Sequence, residues 1–472
     1  MTTSTLDSDI HQEPTRTSWL DRPLSNRWCA LGWLSATVVF VGLTQLLGGP
    51  TQVDAGLSGP STWAIAHAFP ACAYSSTGAS GVAPLYPLVS GGFAWLLRIG
   101  HGVPFPSAAA LGPHCAKASG AIGTWGFRSH ALPETVLLGY LGWLIFLAGA
   151  VALLRATGRG RCGWEVAGVM LLGCAPPIIL ALQQFFHPED LMALGLSFAG
   201  LAFARRGQWI GTGILLGLAI TSQQFALLVA APLLMIAPRM ARIRYGSALV
   251  GSAAVVVVGM LVITSGRVID VLTGATATPP SGGTFLYLAD LHGLSLLCVS
   301  RVLPIILAMM LAWWSARHLG PTALDPVPLV SLIATSLCLR LVFEVNLFGY
   351  YLMAVAASLI VLNVTRGRIS RSLVTWLILV AFAYDPLHWV SHPWTYVIPM
   401  GSYQLLLVPP AMALAVAPLL SFIQDRSRSV SDLHSDDRSE VSFDSVFQTM
   451  ASFREVYVNR WMVKLSGIDR SR

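Results

Sequence analysis

The chain runs to 472 residues, of which 54% are hydrophobic and only 11% charged, with a mean hydropathy of +0.66. Soluble domains carry about 25% charged residues, so this composition excludes a water-facing globule and directs the surplus apolar surface into a bilayer. The net charge of +7 is spread as short basic clusters between apolar runs, a pattern of membrane topology and not of a nucleic-acid-binding face.

Residues 1–27 are polar, with Asp7, Asp9, Glu13, Arg16, Asp21, Arg22 and Arg27. They read as a cytoplasmic N-terminal segment with no cleavable leader. A transmembrane domain follows over 28–424. Its apolar runs fall at 28–48, 135–154, 164–186, 190–204, 208–221, 223–238, 247–265, 296–316, 327–345, 347–365, 372–389 and 403–424. The expected fold class is therefore all-α, a polytopic membrane protein with about twelve transmembrane helices. Basic clusters separate alternate runs: Arg155, Arg159 and Arg161; Arg205 and Arg206; Arg239, Arg242 and Arg244; Arg317; Arg366, Arg368 and Arg371; and eight more in the tail. With all of these cytoplasmic, only Arg98, Lys117, Arg128, Arg267, Arg301 and Arg340 of the 29 Lys and Arg fall outside. Both termini are then cytoplasmic, as the positive-inside rule requires.

The same rule divides 208–238 into two short helices meeting at Thr221-Ser222-Gln223-Gln224, because one crossing would put Arg205–Arg206 and Arg239–Arg244 on opposite sides. A 14-residue helix covers only about 21 Å. Such helices need protein or a water-filled cavity beside their ends, which implies a cavity opening outward. The long first outer loop, 49–134, is rich in Gly, Pro, Ser and Ala. Its apolar piece from Pro84 to Leu97 reads as an interfacial or re-entrant helix. Cys72 and Cys115 are its two cysteines; a disulfide between them and a pair of free thiols are both open. The chain's seven cysteines include no CxxC. The cytoplasmic tail, 425–472, is a polar linker followed by an amphipathic helix over 443–465, with Phe443, Phe447, Met450, Phe453, Tyr457 and Trp461 at helical spacing. It suits either the inner leaflet or a docking partner.

Chemistry on the outer side has few candidates. Asp54 and Glu134 are the only carboxylates in the first outer loop. Asp54, just after the first helix, either accepts a proton from an attacking sugar hydroxyl or is a solvated loop residue. His187-Pro188-Glu189-Asp190 opens a short helix, where Pro and acids are ordinary start signals. The same residues, with Gln183, Gln184, Gln223 and Gln224 near the same depth, can bind sugar hydroxyls or a metal. Arg340 and Glu344 stand i,i+4 in an apolar run. They form a structural ion pair, or Arg340 and Arg301 hold a lipid phosphate through bidentate guanidinium bonds, with Asn346, Tyr350 and Tyr351 adding polar contacts. Asp385, His388, Trp389, His392 and Trp394 read first as an interfacial belt, and His67, His101, His114 and His130 as surface loop residues.

The strings APLYPL (83–88), FFHPEDLMALGL (185–196), ARRGQW (204–209) and RLVFEVNLFGYYLMA (340–354), with the long first outer loop and Asp54, resemble the GT-C superfamily of membrane glycosyltransferases over residues 28–424. The likeness is to actinobacterial mannosyltransferase-like proteins of glycosyltransferase family 87. This resemblance implies metal-independent, inverting transfer of a sugar such as mannose from a polyprenyl-phosphate donor to a cell-envelope glycan or glycolipid acceptor. It implies Asp54 as the catalytic base and an Arg at the departing phosphate; His187, Glu189, Asp190, Gln223 and Tyr350 are the expected substrate contacts. Neither cofactor nor metal is expected, and membrane lipid is the surrounding partner. Two other functions fit the composition: a transporter or flippase for a lipid or polar solute, and a non-catalytic scaffold docked through the tail.

Overall fold

The computed structural model describes residues 19–47, 54–75, 82–99, 102–125, 131–160, 162–274, 280, 284–289, 291, 293–383 and 400–434. Residues 1–423 form one compact unit and 424–472 a second. The expected amphipathic helix at 443–465, the belt from Asp385 to Trp394, and His101, His130 and Arg128 lie outside the described residues, as do the side chains of Gln183 and Gln184.

Among the described residues the structure is helical, the one β pairing being an isolated bridge between Pro23 and Cys162. In chain order the main helices are α1 (Asn26–Leu47), α2 (Ala55–Ala66), α3 (Leu85–Leu97), α4 (Leu132–Ala156), α5 (Gly163–Cys174), α6 (Pro188–Arg205) and α7 (Trp209–Ser222). They continue as α8 (Leu227–Ile236), α9 (Arg239–Ile263), α10 (Leu303–Leu319), α11 (Pro326–Val342), α12 (Met353–Thr365), α13 (Arg371–Ala383) and α14 (Met400–His434). Four helical stretches are long and apolar enough to cross a membrane: Leu132–Ala156, Arg239–Ile263, Gly293–Leu324 and Gln404–Arg426. A fifth arises if Gly163–Cys174 and Pro176–Leu182, bent by 55°, count as one span. The molecule is thus an all-helical protein whose apolar helices are compatible with a membrane.

Local sequence explains the breaks. The run 164–186 reads as one span, yet the helix stops at Cys174. Ala175 precedes Pro176-Pro177 and takes an extended ψ of 124°, because a following proline disfavours the α region. Between α7 and α8, Gln223 is fully extended at φ −160° and ψ 135°, so 208–238 is two helices. The segment expected as the first outer loop holds, among the described residues, α2 and α3 and shorter helices at Ala108–Leu111 and Ala118–Thr124. Cys72 and Cys115 form a disulfide with a Cα–Cα distance of 5.3 Å.

Glycines set the closest helix contacts and reveal helix direction. A Cβ on Gly149 of α4 would collide with the carbonyl of Gly195 on α6, and one on Gly142 would meet Pro188. The matched order shows α4 and α6 running parallel at close approach, as small residues permit. Gly213 and Gly217 of α7 press on Tyr245 and Leu249 of α9 in the same way, again parallel. Gly32 and Ala36 of α1 lie beside Val166 and Gly173 of α5.

These directions put Arg155, Arg159, Arg205, Arg206, Arg239, Arg242 and Arg244 at one end. There Arg155 forks onto the buried Glu165 at 2.9 and 3.3 Å, Arg159 pairs with Asp21 at 2.8 Å, and Arg205 approaches Asp325 at 3.5 Å. The opposite end receives the start of α2, the start of α6, the end of α7, the end of α11 and the start of α12.

Candidate functional site

At that opposite end the chain brings distant residues together. The backbone N–H of Asp54 donates to Phe185 O at 3.0 Å, which fixes the start of α2 against the α5–α6 junction. The junction itself is a π turn over Leu180–Gln184 followed by Phe186 at φ 64° and His187. Single-turn π segments recur where a side chain must be aimed, and here the chain aims His187.

His187 lies between two carboxylates. Its Nε2 is 2.9 Å from Asp54 Oδ2 and its Nδ1 is 2.8 Å from Glu189 Oε1. Tyr350, from the 3-10 turn Gly349–Leu352 ahead of α12, stacks on the imidazole at 4.0 Å between ring centres and 15° between planes. Burial alone would lower the His187 pKa. The Glu189 charge and the Asp54 hydrogen bond outweigh it and push it up to about 10, so the ring is an imidazolium at neutral pH. Burial raises the Glu189 carboxyl pKa, against the pull of His187. Asp54 is the open member: its side chain is 27% exposed, against 1% for Glu189.

Neighbouring helix ends complete the frame. Gln223 donates to Asp190 Oδ1, and Ser222 Oγ donates to Glu189 O at 2.8 Å. The end of α7 thereby satisfies groups at the start of α6, and the acids there sit at the favourable pole of the helix dipole. Trp63 of α2 donates from Nε1 to Thr135 Oγ1 of α4 at 2.7 Å, while Thr62 and Ser90 share a 3.0 Å bond. These bonds lock the helix that carries Asp54 onto α3 and α4.

A second cluster adjoins the first through the Tyr350–Tyr351 pair, whose rings are 4.5 Å apart. The Arg340 guanidinium lies 5.0 Å from the Tyr351 ring centre and donates from Nε to Glu344 Oε2 at 2.9 Å. Arg301, in a π turn over Cys298–Val302 ahead of α10, reaches Glu344 Oε1 at 3.4 Å. One buried carboxylate thus serves two arginines, and Arg301 is the more open, with its side chain 32% exposed.

Asp54, His187, Glu189, Asp190, Gln223 and Tyr350 therefore form one network, and Arg301, Arg340 and Glu344 form a second beside it. His67 and His114 take no part: His67 stacks on Phe105 at 5.0 Å, and His114 is exposed. The reading from sequence misses Trp63, Thr135 and Ser222, whose partners lie far along the chain. It also misses Gln404 of α14, which is buried and caps the end of α11 by donating to Leu341 O and Val342 O at 2.5 and 3.0 Å. A buried glutamine in an apolar helix was the available signal.

No family model, curated protein or solved structure matches the chain.

Proposed function

We propose that this chain is a polytopic membrane glycosyltransferase with twelve crossings and both termini cytoplasmic. It transfers a sugar such as mannose from a polyprenyl-phosphate donor to an envelope glycan or glycolipid on the outer face. The observation that carries the reading is the half-open Asp54 carboxylate, held on one oxygen by the His187–Glu189 pair. Among the described residues nothing bonds Asp54 Oδ1, so that oxygen is available to the acceptor. In this reading Oδ1 takes the proton of the acceptor hydroxyl as its oxygen bonds to the anomeric carbon. The bond from that carbon to the phosphate oxygen breaks with inversion, and polyprenyl phosphate leaves with the electron pair. Arg301, with Arg340 behind it, supplies positive charge where that phosphate gains negative charge.

The test is Asp54→Asn beside wild type in membranes supplied with radiolabelled polyprenyl-phosphate mannose. Transfer by wild type that falls by 100-fold or more in a well-expressed variant supports the reading; equal transfer by both removes Asp54 as the base. One observation favours the transporter alternative. The helix broken at Ala175 leads into a buried carboxylate–histidine chain, and transporters use broken helices at their binding sites. Uptake into proteoliposomes, with no transfer from any donor, selects that alternative.

A further inference from the structure

We propose that the arginine end carries a seat for an anionic phospholipid headgroup, built where the turn between α12 and α13 meets Arg159 and the chain ahead of α1. The turn comes first. Gly367 has a φ of 64° and separates Arg366 from Arg368. A Cβ at Gly367 would lie 2.7 Å from Arg159 Nη2 and 3.1 Å from its Cζ, so the Arg159 guanidinium rests against the turn that carries the two other arginines. The buried Asn363 holds that turn in shape. Its backbone carbonyl accepts from Arg368 N at 3.1 Å, and its side-chain oxygen accepts from Ser370 N at 3.0 Å. The arginines are therefore gathered on a preorganised backbone, which lowers the cost of binding a ligand there.

Charge selects an anion as the ligand. Arg159 takes the acid at this place, donating from Nη1 to Asp21 Oδ1 at 2.8 Å, and Trp164 Nε1 donates to the same oxygen at 3.1 Å. Among the described residues no carboxylate pairs with Arg366, Arg368 or Arg22, the residue after Asp21. Arg366 is half-buried, and burial, followed by the Arg368 charge, pushes its pKa down. Like charges held this close repel, and an anion among them reverses that cost. Guanidinium forks match the paired oxygens of a phosphate. Trp19 makes that phosphate part of a lipid. It shares the turn Trp19–Asp21 and is 71% exposed; an amphipathic indole ring settles at headgroup level, apolar body toward the acyl chains. Ile369, next to Arg368, is exposed as well. Basic pockets at the ends of membrane helices take anionic headgroups, whereas free phosphate gains nothing from the apolar surface. The inference needs only that the helices are embedded in a bilayer, and it holds whichever function the opposite end performs.

The full chain in detergent is mixed with equal amounts of phosphatidylglycerol and phosphatidylcholine, and bound lipids are counted by native mass spectrometry. Wild type should retain phosphatidylglycerol over phosphatidylcholine by about tenfold or more, the worth of two arginines beside a headgroup. Arg366→Gln/Arg368→Gln should bring the two lipids toward parity, a loss of about tenfold. Each variant is checked by size exclusion. If the double variant fails to fold, Arg368→Gln, which alters an exposed side chain, carries the test with a loss of about fivefold. Arg239→Gln/Arg244→Gln removes the same charge from the same end and should retain lipid as wild type. Equal retention of the two lipids by wild type overturns the proposal. So do equal losses in the two double variants, which would reduce the effect to the general charge of that end. Inorganic phosphate, compared with chloride at equal ionic strength, should displace no lipid. Displacement would make this a site for free phosphate and overturn the lipid assignment.

Discussion

Replacing His187 with alanine removes the one group that touches both Asp54 and Glu189. Two charge-assisted hydrogen bonds disappear, at 2.9 and 2.8 Å, each worth about 1.5–3 kcal/mol. The larger effect lies in what remains. Glu189 is 1% exposed, and stripping one partner from a buried ion pair costs about 3–5 kcal/mol. Asp54 regains water and adds little, and the terms overlap, so the expected total is about 3–5 kcal/mol. With an unfolding entropy of about 2.1 cal/mol/K per residue, a body of this size loses about 1 °C per kcal/mol, or about 3–5 °C. The assay is thermal unfolding of purified protein in one detergent at pH 7. The double variant His187→Ala/Glu189→Gln removes the stranded charge and should regain at least half the loss. A single variant within 1 °C of wild type, or a double variant no better than the single, refutes the reasoning. The pH dependence follows with its sign. The His187 pKa is raised from 6.5 to about 10, so its contribution is complete below pH 6.5 and is lost as pH rises through about 10. Wild-type midpoints should fall across that window, and this component should be missing from His187→Ala.

Other expectations rest on separate contacts. Arg301→Ala removes the more open cation beside Glu344; if it meets the donor phosphate, transfer should show a KM for the lipid donor raised by about tenfold, one charge-assisted bond at 1.4 kcal/mol per decade. Gly149→Val forces a branched side chain into the Gly195 backbone and should lower the thermal midpoint through an overpacking cost of about 1–3 kcal/mol or more; an unchanged midpoint would mean that α4 and α6 are not in close contact. Cys72→Ser opens a loop closed over a separation of 43 residues, worth about 4 kcal/mol in the chain-entropy account. Thiol labelling of unfolded protein, with and without reductant, reports whether the bond is present.

Helix positions were legible where arginines bound apolar runs, because in a membrane protein charge and hydropathy answer the same question. The division at Gln223 followed from that argument and from nothing in local propensity. The break at Ala175 was written in Pro176-Pro177 but was overridden by hydropathy, which does not register backbone conformation. α2 was hidden by its composition: Ser58, Ser61 and Thr62 read as loop residues, yet they are buried in the structure. Asp54, His187 and Tyr350 could each be placed on one side of the membrane. Their meeting depends on a π turn, a positive φ at Phe186 and a backbone bond from Asp54 to Phe185. None of these leaves a periodic signal, and the Asp54–His187 contact spans a sequence separation of 133.

The two ends of the molecule use charge differently, and the difference bears on function. At the arginine end pairing is one to one: Arg155 with Glu165, Arg159 with Asp21, Arg205 with Asp325. That suffices to hold helices together. At the Asp54 end one histidine serves two carboxylates and one glutamate serves two arginines. Sharing leaves the 3.4 Å approach of Arg301 longer than the 2.9 Å bond of Arg340, and it leaves Glu189 Oε2 unbonded. Under the proposed transferase function, a donor phosphate would displace this long, shared contact at small cost, because Glu344 keeps its other arginine. A purely structural network gains nothing from such spare capacity, whereas a site that must exchange partners on each turnover depends on it.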